Sequence, residues 1–266
     1  IEVAPINPGG SNQPGMVVKY DAAGDYEWHG VVHTPNGSVN SCVLGDDGSA
    51  YATGFFRQHA WVVNDTQKIH TGMGDGKDMT YVAKFAPDGT PEWIRGPERK
   101  GGNPGDGAKS HGYDIDVDAA GNVYITGAFM KTTDLNFDDG IQEFHTAPGT
   151  KWSNTYLIKL DTKGNTKWHR SWGGVNNTVG RGVVVDNAGG IVVGGWTNPI
   201  EMDLDPEDDD DDSTDHDKLM VGIPAGDPGA TDDNNRQMWL SKFNSDGEIQ
   251  WGHSFGSDRS DLLYGL

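Results

Sequence analysis

Leu157-Ile158-Lys159-Leu160-Asp161-Thr162-Lys163-Gly164-Asn165-Thr166-Lys167-Trp168 is a short apolar strand carrying a lysine, then a turn closed by glycine, then a tryptophan four residues beyond the glycine. The same order stands at Val17-Val18-Lys19-Tyr20 to Gly24 and Trp28, at Val82-Ala83-Lys84-Phe85 to Gly89 and Trp93, and at Leu240-Ser241-Lys242-Phe243 to Gly247 and Trp251. Glycine-to-glycine intervals of 65, 75 and 83 residues exclude a heptad and a uniform solenoid. They suit sheet modules whose connections vary in length.

A second motif alternates with the first. Leu44 to Gly54 aligns with Val117 to Gly127 and with Val185 to Gly195, each an apolar run, an Asp/Asn/Gly turn and a second run rich in Val, Ile, Tyr or Thr. β-Branched and aromatic residues suit the pleated, half-buried surface of a sheet, and the turn cluster supplies the positive φ that hairpins need. Two hairpins per period make a four-stranded antiparallel unit. Such units are too small to bury their faces alone and become stable by packing face to face around an axis, as in a β-propeller.

With 39 glycines in 266 residues, no long run keeps apolar residues at helical spacing. The chain reads as all-β, a β-propeller of four-stranded antiparallel blades with about four visible, incomplete at both ends. The expected divisions are an extended segment 1–15, a partial blade at 16–34, blades near 39–95, 111–172 and 180–255, and the start of another at 261–266. That makes fifteen strands, with Leu263 to Leu266 inside a further leading strand, and points to a segment of a larger polypeptide or to a small ring closed by residues 1–15. An apolar content of 34% is low, so nine Trp, eight Tyr and eight Phe must supply much of the core. The repeat tryptophans are expected between blades, with Trp93 and Trp168 largely buried. The repeat lysines are expected to lay their stems across a neighbouring sheet.

Asp118 to Gly127, followed by Leu157 to Gly174, resembles the bacterial SBBP-type β-propeller repeats. The Lys-Leu-Asp, Gly-Asn and Trp elements are more distantly similar to the docking motifs of pyrroloquinoline-quinone propellers. The first resemblance implies a secreted or cell-surface multidomain protein, extracellular or periplasmic in location, and a binding or scaffold role. The second implies a quinoprotein only weakly, since Cys42 is the sole cysteine and no adjacent pair exists for quinone stacking.

Elaboration is confined to the connections after the second and fourth strands of each unit, which in a propeller share one face. Insertions on one face of a repeat array mark a working surface. Two inserts carry oxygen ligands on alternate residues, Asp134, Asn136 and Asp138 in one and Asp203, Asp205 and Glu207 in the other, a pattern suited to calcium. The first is no EF-hand, because its glycine is one place late and its twelfth position is His145. Residues 201–217 hold eleven of the forty acidic residues behind a net charge of −20. That charge opposes binding to nucleic acid and to anionic membranes, and no apolar run is long enough to span a bilayer.

No nucleophile elbow or phosphate loop stands out, and His29, His169 and His253 follow the repeat tryptophans as parts of strands. The expected role is a noncatalytic module that binds a protein or glycan on its loop-rich face, with calcium ordering the acidic loops. A propeller enzyme acting on polysaccharide, or less readily a quinoprotein, is the alternative. A convergent His, Tyr, Arg and carboxylate cluster at the axial mouth favours catalysis; acidic loops around ions without such a cluster favour binding.

Overall fold

The computed structural model describes residues 2–6, 14–34, 36–57, 59–63, 68–73, 77–97, 108–138, 141–147, 153–174, 177–186, 188–198, 201–203, 218–220, 236–256 and 261–266. Among them every regular element is a strand, and the sheets are antiparallel. The first sheet has five strands in the order Glu2–Ile6, Gly15–Tyr20, Tyr26–His33, His59–Val63 and Lys68–Met73. Three sheets follow whose four strands pair in chain order. The second contains Ser38–Leu44, Ala50–Phe56, Met79–Phe85 and Pro91–Arg95; the third contains Lys109–Val117, Val123–Met130, Ser153–Leu160 and Thr166–Trp172; the fourth contains Thr178–Val185, Ile191–Thr197, Gln237–Phe243 and Ile249–Phe255.

The repeat motif has one register in all four sheets. Lys19 pairs with Trp28, Lys84 with Trp93, Lys159 with Trp168 and Lys242 with Trp251, each followed by the same one-residue irregularity. The turn glycines Gly24, Gly89, Gly164 and Gly247 have φ of 86°, 83°, 83° and 81°, a region closed to most side chains.

The core lies between sheets, not within any of them. Val17, Trp28 and Val32 of the first sheet pack on Ala52, Phe85 and Ile94 of the second. Tyr51, Val82 and Trp93 of the second meet Ile115, Ile125 and Ile158 of the third; Tyr124, Leu157 and Trp172 of the third meet Val183, Val193 and Trp239 of the fourth. Met79–Phe85 is buried at every position because it is covered on both faces, which explains its unbroken apolar run at Tyr81-Val82-Ala83. Sheet contacts are extended by tryptophan docking. Trp28 Nε1 donates to Pro87 O, Trp93 Nε1 to Thr162 O and Trp168 Nε1 to Ser245 O, each time reaching the glycine turn of the following sheet.

Two expectations change. Trp93 is 6% exposed, but Trp168 is only partly buried, its ring lying at the margin of the third-to-fourth cluster with its indole on an exposed turn. Residues 261–266 carry no strand; they cross the fourth sheet, with Asp261 N donating to Arg236 O just ahead of its third strand, Leu263 near Gly194 of its second and Leu266 near Gly182 of its leading strand. The inserts also hold more structure than loops. His59–Val63 pairs with the outer edge of the first sheet, Thr132–Asp134 pairs with Phe144–Thr146, and Glu201–Asp203 pairs with Lys218–Met220.

Candidate functional site

The first strand of each four-stranded sheet is an edge strand, and each carries a bulge at the same place. Register shifts between Val39 and Ser41, between Gly112 and Asp114, and between Gly180 and Gly182, so Asn40, Tyr113 and Arg181 occupy equivalent extra positions. A bulge re-aims the side chain it inserts. The bulge also presses a carbonyl onto the paired strand: a β-carbon on Gly127 would stand 1.9 Å from His111 O, so the glycine ending Tyr124-Ile125-Thr126-Gly127 is required by close approach.

These leading strands meet one another through polar groups. Asn40 Nδ2 donates to Gly112 O at 2.7 Å and Ser41 Oγ to Asp114 Oδ1 at 2.7 Å. Asp114 and Asp116 then accept the Val183 and Val185 amides at 3.0 and 2.7 Å. Burial raises both carboxyls above their ordinary range despite these bonds.

At the ends of the strands from which the long connections leave lies a cleft of about 190 Å³. Asp78, Lys109, His111 and Tyr113 form its polar side, with Ala128 and Val179 among its apolar lining. His111 Nε2 is 3.0 Å from Asp78 Oδ2, and His111 Nδ1 is 3.4 Å from the Tyr113 hydroxyl. Phe55 stacks on the imidazole with ring centres 4.3 Å apart and planes 6° from parallel. The backbone beneath is fixed, since Tyr156 donates to His111 O at 3.0 Å and Ser110 N donates to Asp78 O at 2.8 Å. Arg57 Nε donates to Asp78 Oδ1, and Lys109 Nζ lies 3.9 Å from Oδ2.

Burial alone would raise the Asp78 carboxyl, but the bonds from Arg57 and His111 outweigh it and hold it below the usual range. Burial pushes His111 down more than Asp78 lifts it, and burial pushes Tyr113 up against the opposing charge of Arg181. At neutral pH the series is carboxylate, neutral imidazole and protonated phenol. With the imidazole proton on the nitrogen facing Asp78, Nδ1 is left as an acceptor toward Tyr113. The Arg181 guanidinium lies 4.0 Å from the Tyr113 ring centre. His, Tyr, Arg and a carboxylate thus come together beside one cleft.

Sequence inspection did not single out Asp78, Lys109, His111 or Arg181. The available signal was Lys109-Ser110-His111-Gly112-Tyr113 at the head of a leading strand, dense in polar and aromatic groups opposite long connections.

The insert bearing Asp134, Asn136 and Asp138 folds over the outer strand of the third sheet. Leu135 and Phe137 turn inward and are each 1% exposed. Asp134 Oδ1 accepts the Asn136 and Glu143 amides, Asn136 Oδ1 the Asp138 amide, and Asp138 Oδ1 the Thr166 amide. The alternating oxygens therefore organise their own backbone, leaving Asp134 Oδ2 buried without a partner. Burial raises the Asp134 carboxyl to about 6. Beside it, Ser171 Oγ, His145, His169 and Glu143 form a hydrogen-bonded row, with His145 Nδ1 2.7 Å from Ser171 Oγ and His145 Nε2 2.7 Å from His169 Nδ1. Among the described residues, no three His, Cys, Asp or Glu side chains form a group suited to a metal ion. Asp203 pairs with Lys218 through the backbone, and Asp205 and Glu207 lie outside the described residues.

No protein-family model matches the chain, and no curated protein matches it either.

Proposed function

We propose that the chain is part of an SBBP-like β-propeller, each four-stranded sheet a blade, and that it serves a secreted or cell-surface protein as a binding module. The cleft beside His111 takes one sugar unit of a glycan, and the surrounding inserts extend the contact. The carrying observation is the convergence of Asp78, Lys109, His111 and Tyr113 on a cleft at the long-connection ends of the strands. Its volume of about 190 Å³ exceeds the roughly 150 Å³ that accommodates a benzene-sized guest and falls below the roughly 300 Å³ of larger ligand pockets. One ring fits that space better than an extended peptide. Apolar lining beside fixed donors and acceptors suits the two-sided character of a sugar. Calcium on Asp203, Asp205 and Glu207, and on Asp134, Asn136 and Asp138, is part of the same proposal, as an ordering ion for the inserts.

A second reading, an enzyme acting on polysaccharide, is favoured by the Asp78, His111 and Tyr113 series, since a neutral imidazole held by a carboxylate beside a protonated phenol is equipped to move protons. Calorimetric titration with oligosaccharides tests the first reading. Saturable binding that weakens about tenfold or more in His111→Ala is expected, with melting curves measured beside it because the substitution also removes the Phe55 stack and the Asp78 bond. Absence of binding to any glycan overturns it, and product formation on prolonged incubation moves the assignment to catalysis.

A further inference from the structure

Arg181 is a cation stacked on aromatic rings. With 20 Lys and Arg against 40 Asp and Glu, a basic side chain is outnumbered two to one, and others settle on carboxylates: Lys19 on Glu27, Lys84 on Glu92, Lys242 on Asp186 and Arg57 on Asp78. Among the described residues Arg181 has no carboxylate partner: its Nε is buried without a hydrogen bond, and its guanidinium lies against Tyr113 at 4.0 Å and Tyr264 at 5.9 Å. The nearby carboxylates are committed elsewhere, Asp114 to Ser41 and the Val183 amide, Asp116 to the Val117 and Val185 amides.

Arg181 is partly exposed and only its Nε is shut away from solvent, so the terminal nitrogens of the guanidinium are placed to take an anion from a ligand. The bulge at Gly180 and Gly182 places Arg181 on the Tyr113 ring, which itself lines the cleft. On the other side Lys109 lines the cleft and Arg57 sits on Asp78, so the charge of that carboxylate is already met by cations. Arginine presents a planar fork matched to a planar carboxylate, and stacking on a tyrosine leaves the edge of that fork available.

We infer that the cleft selects a sugar bearing a carboxylate, a hexuronate unit of an acidic glycan, and that Arg181 is the residue that reads the carboxylate. This rests on the cleft being a glycan site. The ring of the sugar lies over the apolar lining at Ala128 and Val179, its hydroxyls meet His111 and Lys109, and its carboxylate meets the Arg181 fork.

The test is calorimetric titration of the full chain with a hexuronate oligosaccharide, its neutral hexose counterpart, inorganic phosphate and an acidic peptide. The uronate is expected to bind about tenfold or more tighter than the neutral sugar, the scale of a hydrogen bond to a charged group. Arg181→Gln should erase that preference while leaving affinity for the neutral sugar unchanged, and Arg181→Lys should retain part of it. Melting temperatures of the variants check the fold; if Arg181→Gln melts early, Arg181→Lys carries the comparison, since it keeps the cation but not the fork and should show a reduced preference, and full retention of the preference there overturns the role of the fork. Equal affinity for both sugars, with no effect of Arg181→Gln, overturns the inference and leaves the glycan site standing. Failure of both sugars to bind overturns the glycan site itself. Phosphate competing as well as the uronate, or the peptide binding more tightly than either sugar, also overturns the inference.

Discussion

Trp93 reaches across a sheet boundary to Gly164: its indole donates to the Thr162 carbonyl at 3.2 Å, and a β-carbon on Gly164 would come within 3.2 Å of its ring. The glycine of one repeat is the seat of the tryptophan of the repeat before. The same pairing joins Trp28 to Gly89 and Trp168 to Gly247, whereas Gly24 has no atom close to its missing β-carbon. Trp251 at the other end of the series is 37% exposed. The recurring offset from glycine to tryptophan is therefore set by contact between sheets as well as by the turn.

Trp93→Ala is expected to destabilise the fold by about 3–5 kcal/mol, the range for deleting a large buried aromatic. Trp251→Ala should cost less than about 1 kcal/mol, in keeping with the small effect of surface changes made away from tight packing. Gly164→Ala adds a side chain at φ of 83° and against the indole, so about 1–3 kcal/mol is expected from the backbone alone. Denaturant titration of the three variants decides the matter. A Trp251 effect equal to that of Trp93 would mean that docking on the next turn contributes nothing.

Cys42 is a partly buried thiol, and burial pushes its pKa up to about 12. Thiolate is the reactive form, so the folded protein at pH 8 should react with an alkylating reagent far more slowly than a free thiol of pKa about 8.5. The denatured chain should react at the ordinary rate. Rapid labelling under native conditions would place Cys42 in solvent and contradict its packing against the cluster between the first and second sheets.

The repeat made the strands legible because period-two patterning and turn glycines are local signals, and all four Lys–Trp pairs keep one register. The insert hairpins were not legible. His59–Val63 is a strand only because the outer edge of the first sheet is there to receive it, with His33 pairing to Trp61. The candidate site was legible only as a face. Arg57, Asp78, His111, Tyr113 and Arg181 come from three sheets, and the bulges that aim Tyr113 and Arg181 have no local signature beyond a preceding glycine. At Asp134, Asn136 and Asp138 the spacing was plain, but alternate oxygens serve a cation and a loop's own amides equally well, so composition did not distinguish the two.

Asp134 and His145 set opposite pH slopes within that insert. Burial raises Asp134 to about 6 from 3.8, so its contribution is present at low pH and is lost as pH rises between those values. Burial and the neighbouring His169 lower His145 to about 4 from 6.5, so its contribution is present above pH 6.5 and is lost as pH falls toward 4. The two slopes oppose one another in the wild type. Asp134→Asn keeps an oxygen for the Asn136 and Glu143 amides but cannot titrate. Its stability should fall more steeply than that of the wild type on acidification from pH 6 to 4, as measured by urea midpoints. Parallel pH profiles for the two proteins would show that Asp134 does not titrate in this range.

Calcium binding by the acidic inserts predicts a linked gain in stability. A ligand that binds only the folded state stabilises it by RT ln(1 + [L]/Kd), about 2.7 kcal/mol at a hundredfold excess over Kd. Millimolar calcium should therefore raise the melting temperature, and chelation should lower it. Replacing Asp203 and Asp205 together by Asn removes two charges at nearly constant size and should abolish most of the response. Magnesium should substitute poorly, since it demands a small octahedral shell and sheds water reluctantly. If the response survives the double substitution but disappears in Asp134→Asn, the ion belongs to the insert where Asp134 Oδ2 is buried without a partner. No saturable binding by calorimetry, together with an unchanged melting curve, would remove calcium from both inserts and leave their carboxylates as hydrogen-bond acceptors for the backbone.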